Sequence, residues 1–222
     1  MLELEQVKRQ VSMAKEEGYE VIQLDECLFQ VDHMRQTAWS PKGQPLRTLG
    51  RFANKQVVVV CGAISSERGL VHMKYGYRSF NAMDMVQMFK KVRQKSGKHK
   101  KLALFMDNAS IHRALISKDE CKHKKSNIVT IFNRPYRPDL NGIEFYWRDI
   151  KRRYRQRMNW QRVNGLNFEH LEVVRQMIDE TPNELAKRCA LQGEKNIRRA
   201  KPVGLLHHEV PPDYDMVEHM KA

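Results

Sequence analysis

Nothing in this chain of 222 residues approaches the ~18 consecutive apolar residues a membrane-crossing helix needs. The N-terminal stretch MLELEQVKRQ has neither the basic start nor the apolar core of a secretory signal. Cysteine is sparse: Cys27, Cys61, Cys121 and Cys189 stand far apart with no CxxC pair. The one metal-like fragment, Cys121-Lys122-His123, has no second half, which argues against a zinc site and for a reducing compartment. No internal repeat is visible. Acidic residues are the minority charge, 26 against 40 Lys and Arg, leaving a net +14. A solvated surface needs no such excess, so a polyanion, normally nucleic acid, is the expected partner.

What is present suits one medium domain, with 41% hydrophobic residues to build its core. Residues 2–17 read as a charged helix stopped by Gly18. Strands are expected at 20–25, 34–40, 55–64, 70–75, 101–107 and 127–132. The all-apolar run Val57 to Val60 belongs in a buried one. Met85, Met88, Phe89 and Val92 fall at helical spacing, and further helices are expected after Arg113 and from about Asn141 to Met158. Early strands without intervening helices imply an antiparallel meander; the later alternation implies parallel additions. Beyond Gly165 the pattern is helical, with Thr181-Pro182 as a helix start. The intended division is an N-terminal helix (1–18), an α/β domain (19–160), a helical extension (161–200) and a tail or partner-binding arm (201–222).

Three carboxylates stand out. Asp25 interrupts an apolar strand, where an unpaired charge costs several kcal/mol. Its neighbour Glu26 faces the other side and reads as a solvated or paired acid. Asp107 closes a strand, which in α/β sheets is a usual place for chemistry and equally a place for a helix cap. Glu144 follows Asn141 at capping-box spacing, and locally the cap is the simpler reading. Parallel neighbouring strands would set Asp25 and Asp107 ~5 Å apart, and a helix packed above could add Glu144. Such a group repels itself unless hard cations such as Mg²⁺ or Mn²⁺ sit within it.

The blocks Ile22-Gln23-Leu24-Asp25-Glu26, Phe105 to His112 and Arg134 to Glu144 resemble the signature blocks of mariner-type DDE transposases, a superfamily with bacterial insertion-sequence and ciliate relatives. Trp39-Ser40-Pro41-Lys42-Gly43 resembles the hairpin after the family's first strand. The resemblance spans residues 20–155. It implies an RNase H-like fold, a five-stranded mixed sheet flanked by helices. It also implies catalytic and metal-binding roles for Asp25, Asp107 and Glu144 around two Mg²⁺ or Mn²⁺ ions, with DNA end cleavage and strand transfer as the activity. A homodimer or larger synaptic complex on transposon ends and target DNA is the implied assembly. Gly142 replaces the family's usual proline and Arg137 its small hydroxyl residue. Few residues precede the first strand, where the family carries helix-turn-helix DNA-recognition modules; either the sequence is a piece of a longer protein, or end recognition is expected from a separate chain or module. Location would be the nucleus in a eukaryote, or cytoplasm and nucleoid in a bacterium.

Asn108 and His112, in the loop after Asp107, are expected to contact a DNA phosphate or to orient a ligand, a lone loop histidine being more often a structural hydrogen-bonder; further DNA contacts are expected from Arg148, Lys151, Arg152 and Arg155 on the helix after Glu144. Trp147 belongs in the core. Two other readings stay open at this point: a non-catalytic, transposase-derived binding or assembly subunit, and an RNase H-like nuclease using a fourth acid, Asp32 or Asp84.

Overall fold

The computed structural model describes residues 4–30, 42, 57–109, 112, 127–166 and 169–201, with the backbone alone for Arg162. The strand expected at 34–40, the hairpin around Trp39, the helix after Arg113, Asp32 and the tail from 202 lie outside them.

Helix α1 (Leu4–Glu16) buries Leu4, Val7, Val11 and Ala14, the three-and-four spacing of one helical face. Strand β1 (Glu20–Gln30) runs five residues beyond the expected end at Asp25. Cys27 and Phe29 continue the buried alternation while Leu28 and Gln30 face outward. Strands β2 (Val57–Ser65) and β3 (Gly69–Gly76) complete an antiparallel meander. Strands β4 (Leu102–Met106) and β5 (Ile128–Phe132) then add in parallel on the opposite edge. The order is β3-β2-β1-β4-β5, so β1 is the centre of a five-stranded mixed sheet.

Each face of that sheet has its own cover. On one, α2 (Ala82–Ser96) lays Met85, Met88, Phe89 and Val92 against Ile22, Leu24, Val59 and Leu104. Asn81 and Asp84 cap it reciprocally, and Asp84 also pairs with Lys74 and Arg78, each at 2.9 Å. Burial would raise the Asp84 carboxyl, but the Asn81 N–H and these cations outweigh it and hold it at about 2. Asp84 is thus committed to this helix and does not act as a fourth acid at a site.

The other face carries α3 (Gly142–Val163), α4 (His170–Asp179) and α5 (Asn183–Arg199). Ile143, Trp147, Ile150, Val174, Ile178 and Ala190 join Phe29 and Val60 in one cluster. The segment read from sequence as a helical extension therefore shares the sheet's core. The expected start at Thr181 is corrected. The Thr181 hydroxyl donates back to the Met177 carbonyl at 2.5 Å, closing α4, while Pro182 occupies the α5 cap without a side-chain hydrogen bond.

Candidate active site

Asp25 lies at the middle of the central strand, on the face covered by α3. Its companions in that alternation are Gln23, Cys27 and Phe29. The parallel register pairs Gln23 with Phe105; carried two residues onward, it sets Asp107, just past the end of β4, beside Asp25. Glu144 enters from above, in the first turn of α3. The approach of α3 is fixed by Asn141, whose Nδ2 donates to the Leu24 carbonyl at 3.1 Å. Asn141 therefore caps nothing with its side chain. The Glu144 N–H goes to the Asn141 carbonyl, and the capping-box reading of Asn141 and Glu144 gives way.

The three acids line one cleft of about 360 Å³, with Asn108, Arg134 and Tyr136 on its walls. The carboxyl groups of Asp25 and Glu144 are hydrogen-bonded to each other. Burial, then the charges of Glu144, Glu26 and Asp107, push the Asp25 carboxyl well above the usual range. Asp25 Oδ1 also accepts the Glu26 N–H at 2.8 Å. Asp107 is turned the other way. Its Oδ1 meets His112 Nδ1 at 2.6 Å and accepts the Ala109 N–H at 3.1 Å. Among the described residues no three acidic, histidine or cysteine side chains already stand in ion-holding geometry.

Of the two expectations for His112, phosphate contact gives way. The side chain is 0% exposed, so it does not reach a DNA phosphate. Its Nε2 lies 3.1 Å from Glu26 Oε1, which makes Glu26 a paired acid on the opposite sheet face from Asp25. Burial alone would lower the imidazole, but hydrogen bonds to Asp107 and Glu26 outweigh it and hold it at about 10. The same His112 bond holds Asp107 below its ordinary range, against burial and together with the Ala109 N–H.

Asn108 is half-buried at the cleft wall. Arg148 and Arg152 are exposed on α3; Lys151 and Arg155 are half-buried. Lys151 lies against the Cys27 thiol, whose burial, eased by that ammonium, puts it at about 12. Trp147 is in the core. Sequence reasoning named neither Arg134 nor Tyr136 as a site residue, although both stand in the third block. Tyr136 is 99% exposed, with a left-handed backbone (φ 59°), in a turn held by Asn133 Nδ2 donating to the Arg137 carbonyl at 2.7 Å. A second groove of about 380 Å³, between α3 and α4, includes Arg153, Arg157, Trp160 and Glu180. Its one acid is already paired with Arg157 at 3.3 Å, and it offers no comparable chemistry.

The carboxylates fit divalent ions by donor type. All three are hard oxygen ligands that line one cleft, the donor set that Mg²⁺ or Mn²⁺ takes. No donor among the described residues reaches the buried Asn141 Oδ1, another oxygen on the same wall.

The family model described as DDE superfamily endonuclease matches residues 20–167. Three solved structures resemble the chain. They are a pre-cleavage Mos1 transpososome (16% identity, TM-score 0.61, 89% of this chain and 62% of that one), the Mos1 strand transfer complex (15%, 0.59, 89% and 61%), and the Mos1 mariner paired end complex with Mn (15%, 0.58, 87% and 60%). At such identity the likeness is one of fold, and the fold is RNase H-like. The chain spans about three-fifths of the length of these structures. No curated protein gives a match.

Proposed function

The chain belongs to the DDE superfamily of endonucleases, and we propose that it is the catalytic part of a cut-and-paste DNA transposase, with Asp25, Asp107 and Glu144 as its metal-binding acids. The observation that carries this reading is the convergence of those acids, from a strand centre, a strand end and a helix start, on one cleft. Burial and the negative charge of Glu144, Glu26 and Asp107 disfavour the ionised form of Asp25, and a cation bound among these acids would relieve that. Bound there, two divalent ions would supply Lewis-acid activation of a water or DNA 3′-hydroxyl and would stabilise the leaving oxygen. Asp25, from the central strand, with Asp107 and Glu144 on the same cleft, would supply the carboxylate ligands that hold the ions. Arg134, in the cleft wall, is placed to meet a phosphate oxygen and fix the scissile strand. The likeness to paired-end and strand-transfer complexes supports DNA ends as substrate and a multi-copy assembly as the working form.

The test is nicking and joining of supercoiled and linear DNA by the full chain with Mg²⁺ or Mn²⁺. Activity should require the ion, vanish with chelator and vanish in Glu144→Gln. Cleavage that persists in Glu144→Gln would refute the assignment.

The exposed cations of α3 give a second expectation. Arg148→Ala and Arg152→Ala should each weaken DNA binding uniformly across sequences. Each should also lower the slope of log affinity against log salt by about 1, as loss of one phosphate contact does. An unchanged slope in titrations at several salt concentrations would remove the DNA track from this helix.

A further inference from the structure

We propose that His112 and Glu26 are positioning residues that present one oxygen of Asp107 to a divalent cation. The inference rests on the metal-binding reading of Asp107 and extends it to two residues on the far side of the sheet edge.

Asp107 has left its strand and is half exposed, so nothing in β4 itself fixes its carboxylate. The fixing comes from the loop that follows. The His112 N–H donates to the Ala109 carbonyl at 3.1 Å, which brings His112 back toward the residues just after β4. The Ala109 N–H and His112 Nδ1 then both fall on Oδ1 of Asp107, at 3.1 and 2.6 Å. With Oδ1 engaged in this way, Oδ2 is the oxygen we assign to the cation.

His112 cannot turn without Glu26. Its other nitrogen meets Glu26 Oε1 at 3.1 Å, and the ring is wholly buried. Glu26 alternates to the opposite face from Asp25, so it cannot share an ion with Asp25 directly. Through the imidazole it reaches around the end of the strand and holds Asp107 instead. Partners of this kind, which orient a metal-ligating carboxylate without touching the ion, change metal affinity when removed.

The experiment is direct Mn²⁺ binding to the full chain by calorimetry, without DNA and without turnover, alongside thermal unfolding in chelator. The variants are His112→Ala, His112→Asn, Glu26→Gln and Asp107→Ala. His112→Ala should bind Mn²⁺ about 10–100-fold more weakly. His112→Asn, which keeps a donor near the Nδ1 position, should recover part of that loss. Glu26→Gln keeps the shape of the buried pair and should weaken binding in a folded chain, even where His112→Ala fails to fold. Mn²⁺ affinity within twofold of the parent in the folded His112 and Glu26 variants, with binding lost in Asp107→Ala, would overturn the positioning role and leave the metal site standing. Parent-like Mn²⁺ binding by Asp107→Ala would overturn the site itself, and this inference with it.

Discussion

Asp25→Asn should abolish ion-dependent cleavage and yet raise the melting temperature of the metal-free chain. The loss of activity should be on the order of 10³-fold or more, because the central ligand and its charge go together. The gain in stability follows from what surrounds Asp25. Glu144 is hydrogen-bonded to it, and Glu26 and Asp107 add negative charge nearby. Asparagine has the same shape, can still accept the Glu26 N–H that Oδ1 accepts at 2.8 Å, and can donate to Glu144. The Asp25 carboxyl is raised in the folded state, so its favourable contribution is complete below the unfolded value of 3.8 and is lost as pH rises through the raised value. The advantage of Asn over Asp should therefore grow from pH 5 to pH 8 in chelator. A rise of a few degrees at pH 8 is the expected scale, since ~1 kcal/mol moves the midpoint about 2–4 °C at this length. Mn²⁺ should stabilise the parent and leave the variant unmoved. A variant that melts below the parent at pH 8 would show that the four acids do not repel one another as described.

Such a site is only partly visible along the chain. The five described strands are legible because their apolar runs are long or alternate, and the Cys27 and Phe29 alternation that extends β1 is there to be read. Asp25 was conspicuous because a carboxylate broke an apolar strand. Glu144 was not: its spacing from Asn141 satisfies a helix cap equally well, and only the resemblance to a family raised it. What separates the readings is the Asn141 bond to Leu24, a partner 117 residues away. Glu26 and His112 are 86 residues apart, and no local pattern joins them. Their pairing requires β1 and β4 to be neighbours and His112 to come back to Asp107 at the end of β4. Thr181 shows the same limit in miniature. Threonine before proline is a sound start signal, yet the hydroxyl closes α4. Asn183 is spent on the β2–β3 turn, where its side chain accepts from Leu70 N–H and donates to the Arg68 carbonyl, both at 2.7 Å. Local rules state what a side chain can do, and tertiary neighbours choose among the options.

Gly142→Ala should be among the most destabilising single-methyl additions available in this chain, and Gly142→Pro worse. Gly142 opens α3 where it crosses α5, and Gly193 faces it from α5. A Cβ at 142 would overlap the Cys189 backbone carbonyl and stand 2.5 Å from Gln23 Oε1; one at 193 would stand 2.5 Å from the Gly142 nitrogen. The neighbours cannot step aside cheaply. Two of these contacts are backbone, and Gln23 is pinned at both ends, accepting the Gly142 N–H at 2.5 Å and donating to the Ala190 carbonyl at 2.8 Å. Overpacking of this kind costs about 1–3 kcal/mol, occasionally more. Proline adds a second loss, because Gln23 Oε1 would keep its burial and lose its donor, for about 1–3 kcal/mol more. This is the physical content of the glycine at 142: the first turn of α3 is closed by Gln23 and covered by α5, a geometry that has room for neither a ring nor a methyl. Glu144 sits two residues along the same turn, so any shift that relieves the clash also moves an acid of the cleft. Urea unfolding should show the loss of stability, and Mn²⁺ affinity should fall with it even where the variant stays folded. A Gly142→Ala chain within about 0.5 kcal/mol of the parent, the range of an ordinary surface substitution, would mean that α3 and α5 do not approach this closely.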